Sequence, residues 1–262
     1  MAAGAIRLVL VRHGEAECNV NGMVGGMLGC TGLTARGVTQ ASALRDRLLR
    51  TGELRGAMAV YSSPLPRALQ TAEIVATALG TAGAGRCGDQ GDRSRPDGSP
   101  GDRARLVLDA DLCELRPGDA DGLSWSQFTE RFAEPDWDAR PHEPIAPGGE
   151  SWSGFVDRAC AALRRIAEEA ASGPDRAAGA VVAFCHAGVI EASMLRFLPV
   201  HPAVPRLKLR TAHASLTEWR VEDGVWTLAR YNDATPVPDP RPEGGSGSDV
   251  PGPAPDGDPQ QA

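Results

Sequence analysis

Two short runs of apolar residues constrain the fold of this chain more than any other feature of its sequence. Residues 6–11 and Ala180–Cys185 hold Val, Leu, Ile, Ala and Phe with hardly a polar side chain among them. A run of this length that is apolar on both faces is typical of a strand buried in a parallel sheet. We therefore expect a sheet whose two faces are both covered by helices.

The remaining pattern predicts strands that alternate with helices. Short strands are expected at residues 57–61 and 106–108, and a closing hairpin around Asp223-Gly224 is expected from residues 215–220 and 225–231. Helices are expected at residues 34–50, 64–79, 124–132, 150–171 and 188–198, with Thr34 as a cap and Pro64 opening the second. This alternation predicts an α/β fold, a three-layer α/β/α sandwich around a mostly parallel sheet.

Composition divides the chain into one domain and two irregular segments. Residues 80–105 are rich in Gly, Asp, Arg, Ser and Pro and nearly free of apolar side chains, which predicts a flexible insertion. Residues 234–262 are rich in Pro and Gly and hold most of the net charge of −7, which predicts a disordered acidic tail. The predicted domain therefore spans residues 1–233.

Charge and cysteine usage argue against several classes of protein. A net charge of −7 disfavours a nucleic-acid-binding surface. The chain shows neither a membrane-length apolar stretch nor a signal-peptide pattern, and we expect a cytoplasmic protein without membrane contact. The cysteines show no metal-ligand spacing and are interpreted as reduced thiols; they are Cys18, Cys30, Cys87, Cys113, Cys160 and Cys185.

Polar side chains with complementary chemistry follow the four predicted parallel strands. Arg12 and His13 follow the first, Arg67 the second, Glu114 the third and His186 the fourth. Ligands of such folds bind at the carboxyl ends of the strands. Guanidinium groups bind phosphate, an imidazole can carry a phosphoryl group, and a carboxyl group can move the proton of a leaving alcohol.

The residues in these places form motifs. Arg12-His13-Gly14, residues 63–72 (SPLPRALQTA), 112–114 (LCE) and 186–188 (HAG) resemble the motifs of the histidine phosphatase superfamily, also called the phosphoglycerate mutase-like fold. Residues 32–41 and 147–151 agree with the same family. The resemblance runs from about residue 6 to residue 233, apart from the insertion.

The resemblance implies a role for each matching position. His13 is the expected nucleophile, Glu114 the expected proton donor, and His186 takes part both in catalysis and in binding. The expected phosphate-binding residues are Arg12, Asn19, Arg67 and His186. The family implies no metal and no organic cofactor, and the expected partner is a small-molecule phosphomonoester.

Several assignments stay open at this point. Glu15, Asp119 and Asp121 remain alternatives to Glu114 as the proton donor. The sequence supports two interpretations of three tryptophans equally: they line the substrate pocket, or they pack in the core or in a lid. They are Trp125, Trp137 and Trp152. The remaining histidines lack a motif and are interpreted as structural; they are His142, His201 and His213.

The expected function is hydrolysis of small phosphorylated metabolites through a phosphohistidine on His13. Phosphoglycerate mutase activity is the alternative within the enzymes, but the segment between Glu114 and Gly149 is shorter than mutases carry. A non-catalytic phospholigand-binding module is the alternative of another class, and it would lack His13 or Glu114. Cys18 and residues 118–122 depart from the common family pattern, which leaves the substrate open, and the sequence does not define the oligomeric state.

Overall fold

The computed structural model describes residues 5–80, 105–172, 179–198 and 209–237. Its strands form one sheet in the order β3-β2-β4-β1-β5-β6. The first four of these run parallel, and β5 and β6 run antiparallel at one edge. The strands are β1 (Ile6–Arg12), β2 (Ala59–Ser62), β3 (Leu106–Leu108), β4 (Ala180–Cys185), β5 (Ser215–Glu222) and β6 (Val225–Ala234). The prediction of an α/β fold with a mostly parallel sheet is confirmed.

Five of the helices in the described residues occupy the predicted places with small shifts at their ends, and a further short helix at Glu17–Val20 was not predicted. The helices are α1 (Glu17–Val20), α2 (Ala35–Thr51), α3 (Pro66–Leu79), α4 (Trp125–Arg131), α5 (Trp152–Ser172) and α6 (Ala187–Phe197). Thr34 caps α2 as predicted, because its hydroxyl accepts a hydrogen bond from Gly37 N. The prediction that Pro64 opens α3 is wrong. Pro66 disfavours a helical backbone at Leu65, which stays extended at φ −61° and ψ 131°, so the helix begins at Pro66.

Alternate side chains of β1 enter two separate apolar cores, one on each face of the sheet. Leu8 and Leu10 pack in the core that contains Leu163 of α5. Val9 and Val11 pack in the core that contains Leu44 of α2 and Val75 of α3. This period of two residues is what a strand covered on both faces requires.

The predicted irregular segments fall almost wholly outside the described residues. Of the insertion predicted at residues 80–105, only the two end residues are described, and of the tail predicted at residues 234–262, only residues 234–237 are described. The domain bounds 1–233 therefore stay a prediction.

Candidate active site

The parallel pairing of β1 with β4 brings two histidines together. Arg12 pairs with Cys185 at the carboxyl ends of the two strands, and His13 N continues the ladder with a 3.1 Å hydrogen bond to Cys185 O. His186 directly follows β4. The rings of His13 and His186 are consequently 5.1 Å apart, and both side chains are almost fully buried.

Two hydrogen bonds select one tautomer of His13. Nδ1 lies 2.6 Å from Gly14 O, and a carbonyl oxygen only accepts hydrogen bonds, so Nδ1 carries the proton. Arg67 Nε lies 3.1 Å from Nε2, and a guanidinium only donates, so Nε2 carries the lone pair. The two independent contacts agree that Nε2 carries the lone pair.

Arg67 is held in the first turn of α3 and connects His13 with the glycine-rich loop at residues 22–32. Its side chain is buried, and Nη1 donates to Gly25 O at 2.7 Å and contacts Cys18 Sγ at 3.9 Å. A Cβ atom on Gly25 would lie 2.6 Å from the same sulfur. The loop can therefore approach Arg67 this closely only with glycine at position 25.

The two arginines make the pocket electropositive. These are Arg12 and Arg67, and both are buried. Nη1 of Arg12 donates a hydrogen bond to the backbone oxygen of Thr211. Burial, followed by the charge of Arg67, lowers the pKa of both His13 and His186 well below the usual range of histidine. Both imidazoles are therefore neutral at physiological pH.

One ring nitrogen of His186 is held by a hydrogen bond, and the other is buried without one among the described residues. Its Nε2 lies 2.9 Å from Ser63 Oγ, which fixes the ring at the amino end of α6. Its Nδ1 is buried without a hydrogen-bond partner among the described residues. An unpaired buried nitrogen is costly unless a ligand completes it.

Glu114 follows the short 3-10 turn Ala110–Leu112 and is also buried. Its two oxygens accept hydrogen bonds from Leu115 N at 3.2 Å and from Gly188 N at 3.1 Å, the latter in the first turn of α6. A Cβ atom on Gly188 would lie 2.1 Å from Glu114 Oε1. The glycine of the HAG motif thus leaves space for the carboxylate.

The alternative carboxylates are engaged elsewhere or exposed. Glu15 accepts a 2.7 Å hydrogen bond from Thr34 Oγ1. Asp121 accepts hydrogen bonds from Leu28 N and Gly29 N, each at 2.9 Å, and so links the glycine-rich loop to residues 118–122. Asp119 is exposed.

Asn19 lies in α1, close in sequence to His13. The contact that the structure shows for its side-chain oxygen is a 3.2 Å hydrogen bond from Ala16 N, which caps the short helix. Its role in phosphate binding stays a prediction.

A third histidine, which the sequence interpretation assigned to a structural role, borders the same pocket. The ring of His213 is 5.7 Å from that of His13, and its Nε2 is buried without a partner among the described residues. Burial, followed by the charge of Arg12, lowers the pKa of His213 to about 2.

The backbone around His213 explains its place. Ala214 N donates to His13 O at 3.2 Å, and Ala214 adopts a φ of 52°, which L residues rarely adopt. Because β5 runs antiparallel to β1, its first residues lie beside the last residues of β1. The sequence predicted β5 but did not indicate which strand it pairs with, so this proximity was missed.

An apolar cavity of about 190 Å³ adjoins Glu114. Its wall contains all three tryptophans whose place the sequence left open, Trp125, Trp137 and Trp152. We call this cavity the aromatic chamber; its lining also includes Val24, Gly25, Gly26, Leu115, Phe128, Ile145 and Gly188.

Neither a metal site nor a membrane span is found in the part of the chain that the structure describes. No three His, Cys, Asp or Glu side chains of that part are grouped so as to hold a metal ion. None of its helices combines the length and the apolar character needed to cross a bilayer.

Comparison with known proteins points to one family. The sequence model of the histidine phosphatase superfamily (branch 1) matches residues 8–84 and 99–234. Phosphoglycerate mutase-like protein 4 and metal-independent phosphoserine phosphatase, both from Arabidopsis thaliana, are each 28% identical over 233 residues, which covers 87% of this chain and 85% and 82% of theirs.

Solved structures agree with this comparison. A mycobacterial glucosyl-3-phosphoglycerate phosphatase superposes with a TM-score of 0.62 at 26% identity, covering 88% of this chain and 100% of the other. Mycobacterial hydrolase 1 superposes with a TM-score of 0.63 at 25% identity, with the same coverage.

The three neutral histidines predict that the protein loses stability in mild acid. An unfolded histidine takes up a proton below about pH 6.5, whereas His13, His186 and His213 do not while folded, so the unfolded state is stabilised relative to the folded state as pH falls. Each contributes up to about 1.4 kcal/mol per pH unit below that value. The unfolding free energy, measured in urea between pH 7.5 and 5.5, should fall steadily below pH 6.5.

The variant His213→Asn removes one of the three histidines, so its unfolding free energy should fall less steeply as the pH is lowered. Orthovanadate, a phosphate analogue, should also reduce the loss, because its negative charge favours protonated imidazoles. A stability that stays flat across this pH range would contradict the assignment of neutral, buried imidazoles.

Proposed function

This chain belongs to the histidine phosphatase superfamily, and we propose that it hydrolyses small phosphomonoesters through a phosphohistidine formed on Nε2 of His13. The observation that carries this proposal is the tautomer of His13, whose lone pair faces the guanidinium of Arg67. Relatives named as a metal-independent phosphoserine phosphatase and a glucosyl-3-phosphoglycerate phosphatase support phosphatase chemistry.

In the first step the lone pair of His13 Nε2 attacks phosphorus. The Nε2–P bond forms as the bond between phosphorus and the leaving oxygen breaks, and Glu114 transfers a proton to that oxygen. In the structure Arg67 Nε donates a 3.1 Å hydrogen bond to this lone pair. Before the attack, Arg67 Nε must therefore transfer its hydrogen bond to a phosphoryl oxygen. The buried arginine thus holds the nucleophile until the anion arrives.

In the second step a water molecule replaces His13 on phosphorus. Glu114, now a carboxylate, accepts the proton of the water; the O–P bond forms, and the Nε2–P bond breaks. Inorganic phosphate leaves, and His13 and Glu114 return to their initial states. No step requires a metal ion.

The proposed phosphate pocket is formed by two arginines and two imidazoles. They are Arg12, Arg67, His186 through Nδ1 and His213 through Nε2. A bound dianion reverses the electrostatic balance and favours the protonated imidazoles, so each nitrogen that lacks a partner becomes a donor to a phosphoryl oxygen. We include His213 in this pocket on the strength of its 5.7 Å approach to His13.

A cytoplasmic location is part of the proposal. The cysteines within the described ranges are all free thiols, as expected in a reducing compartment; they are Cys18, Cys30, Cys113, Cys160 and Cys185.

The variant His13→Asn tests the nucleophile. It should lower p-nitrophenyl phosphate hydrolysis, measured in EDTA, by at least about 10³-fold, because no nitrogen remains to form the intermediate. His142→Asn is the matched control, since His142 is exposed and bonded to Ser153 Oγ, and it should retain wild-type activity. Equal turnover by His13→Asn and the wild type would refute the proposal.

The same wild-type preparation separates a phosphatase from a mutase. A phosphatase releases inorganic phosphate from p-nitrophenyl phosphate in many turnovers. A mutase interconverts phosphoglycerates with little release of phosphate. If the wild-type protein does this, its activity is phosphoryl transfer and not hydrolysis.

The variant Glu114→Gln tests the proton donor. Its kcat/KM should fall by about 10²–10⁴-fold for an alkyl phosphate, whose alkoxide needs a proton, and far less for p-nitrophenyl phosphate, whose leaving group does not. The ratio kcat/KM is the proper quantity because it reports steps only as far as release of the alcohol. Glu15→Gln serves as the control, and a loss of the same size for both substrates would contradict the assigned role.

A further inference from the structure

We propose that Cys18 and Cys30 form a site of oxidation by hydroperoxides, and that the disulfide they form switches off the phosphatase. The two thiols are buried side by side against Arg67, next to the phosphate pocket. The inference rests on the proposed function, because it assigns a regulation of the same site. The catalytic steps themselves use neither thiol.

The fold brings the two cysteines together from separate segments. Cys18 lies in α1 and Cys30 in the glycine-rich loop, and an antiparallel bridge between Ala16 and Leu33 joins the two segments. Cys18 follows Ala16 and Cys30 precedes Leu33, so in an antiparallel arrangement both cysteines lie on the same side of the bridge. Their side chains share one small buried cluster, and a hydrogen bond connects the two thiols.

The surroundings of the pair favour a thiolate on Cys30. The hydrogen bond from Cys18 and the charge of Arg67 lower the pKa of Cys30 below its usual range, and the same hydrogen bond raises the pKa of Cys18. Cys30 therefore provides the thiolate and Cys18 keeps its proton. The thiolate is the form of cysteine that reacts with peroxides, and a second thiol beside it is the usual partner of a redox-sensing cysteine.

The pair lies just beneath the protein surface. Each cysteine keeps 4% of its area exposed, so neither is sealed in the core. Thr31, next to Cys30, is exposed, as are Met27 and Leu28 of the same loop. A molecule as small as hydrogen peroxide therefore has only a thin layer of loop to pass.

The oxidation takes place in two balanced steps. The Cys30 thiolate attacks one oxygen of hydrogen peroxide; the S–O bond forms, the O–O bond breaks, and the leaving hydroxide takes a proton from solvent. The Cys18 sulfur then attacks the sulfur of the sulfenic acid on Cys30; the S–S bond forms, the S–O bond breaks, and the leaving hydroxide takes the proton of Cys18. Two thiols are oxidised, and the peroxide is reduced to two water molecules.

The disulfide acts on the site through Arg67. Sulfur atoms in a disulfide are about 2.05 Å apart, so the two sulfurs must move together from their non-bonded contact. Cys18 Sγ contacts Arg67 Nη1 at 3.9 Å, and a Cβ atom on Gly25 would lie 2.6 Å from the same sulfur. Since sulfur, loop and guanidinium are packed together, this movement displaces Arg67, which donates to His13 Nε2 and to Gly25 O. A displacement of about 1 Å can lower catalysis by about 10²-fold.

A single peptide reports the oxidation. Trypsin cleaves after Arg12 and Arg36, and the peptide between them contains Cys18 and Cys30 but no further cysteine. The reduced full chain is treated with hydrogen peroxide, assayed with p-nitrophenyl phosphate in EDTA, then alkylated and digested. The kcat/KM should fall by about tenfold or more, in step with the loss of both alkyl groups from this peptide, and dithiothreitol should restore both.

Variants of single cysteines identify the reacting sulfurs. Cys30→Ser should keep its own untreated activity during peroxide treatment, because the thiolate is gone. Cys18→Ser should leave a sulfenic acid on Cys30, which dimedone captures, and the absence of this adduct would contradict Cys30 as the attacking thiolate. Cys160→Ser is the matched control, since Cys160 Sγ bonds Ala192 O at 3.3 Å in the core, and it should be inactivated like the wild type.

The outcomes separate this inference from the proposed function. The inference is wrong if peroxide leaves the wild type active, if the peptide from inactivated protein still carries two alkyl groups, or if Cys30→Ser is inactivated as fast as the wild type. The mass of the peptide does not depend on turnover, so the disulfide is detected even in a protein that hydrolyses nothing. Hydrolysis that survives His13→Asn would instead refute the proposed function.

Discussion

Two hydrogen bonds hold the imidazole of His13 in the tautomer on which the chemistry of the site depends. Gly14 O accepts from Nδ1 and Arg67 donates to Nε2, so the lone pair is both available and directed at a cation. The same arginine connects α3 with the glycine-rich loop through Gly25 O. One buried side chain thus contacts both the lone pair of His13 and the backbone of the loop beside it.

Burial and two neighbouring arginines set the charge of the groups in the pocket. Each of the two buried arginines donates a hydrogen bond to a backbone carbonyl, which leaves its charge in place. The imidazoles remain neutral because burial and the arginines oppose protonation. The pocket therefore keeps a positive potential, and a phosphate dianion provides the charge that it lacks.

The sequence allowed most of the fold and the centre of the site to be predicted. The apolar runs of β1 and β4 required a sheet covered on both faces, and residues at the ends of parallel strands necessarily share one edge. For that reason Arg12, His13 and His186 were expected to meet. The start of α3 was misplaced by two residues because Pro64 and Pro66 carry the same signal, and only the backbone restriction before Pro66 decides between them.

Other parts of the site depend on pairing between distant elements, which local patterns do not reveal. His213 reaches His13 because β5 lies against β1 and Ala214 adopts a left-handed backbone. The tryptophans join one wall only when residues 115–152 pack over the glycine-rich loop, where Asp121 holds the backbone of Leu28 and Gly29. The motifs therefore indicated His13 and His186, whereas the wall of the aromatic chamber depends on this long-range packing.

The covalent intermediate is the central claim, and trapping it is the most direct test. The protein is mixed rapidly with substrate and quenched in alkali, which preserves phosphohistidine, and the modified position is identified by peptide mass spectrometry and by NMR correlation between phosphorus and the ring nitrogens. The account predicts one phosphoryl group, on Nε2 of His13. A phosphoryl group on His186 or His213, or turnover without any phosphorylated residue, would contradict it.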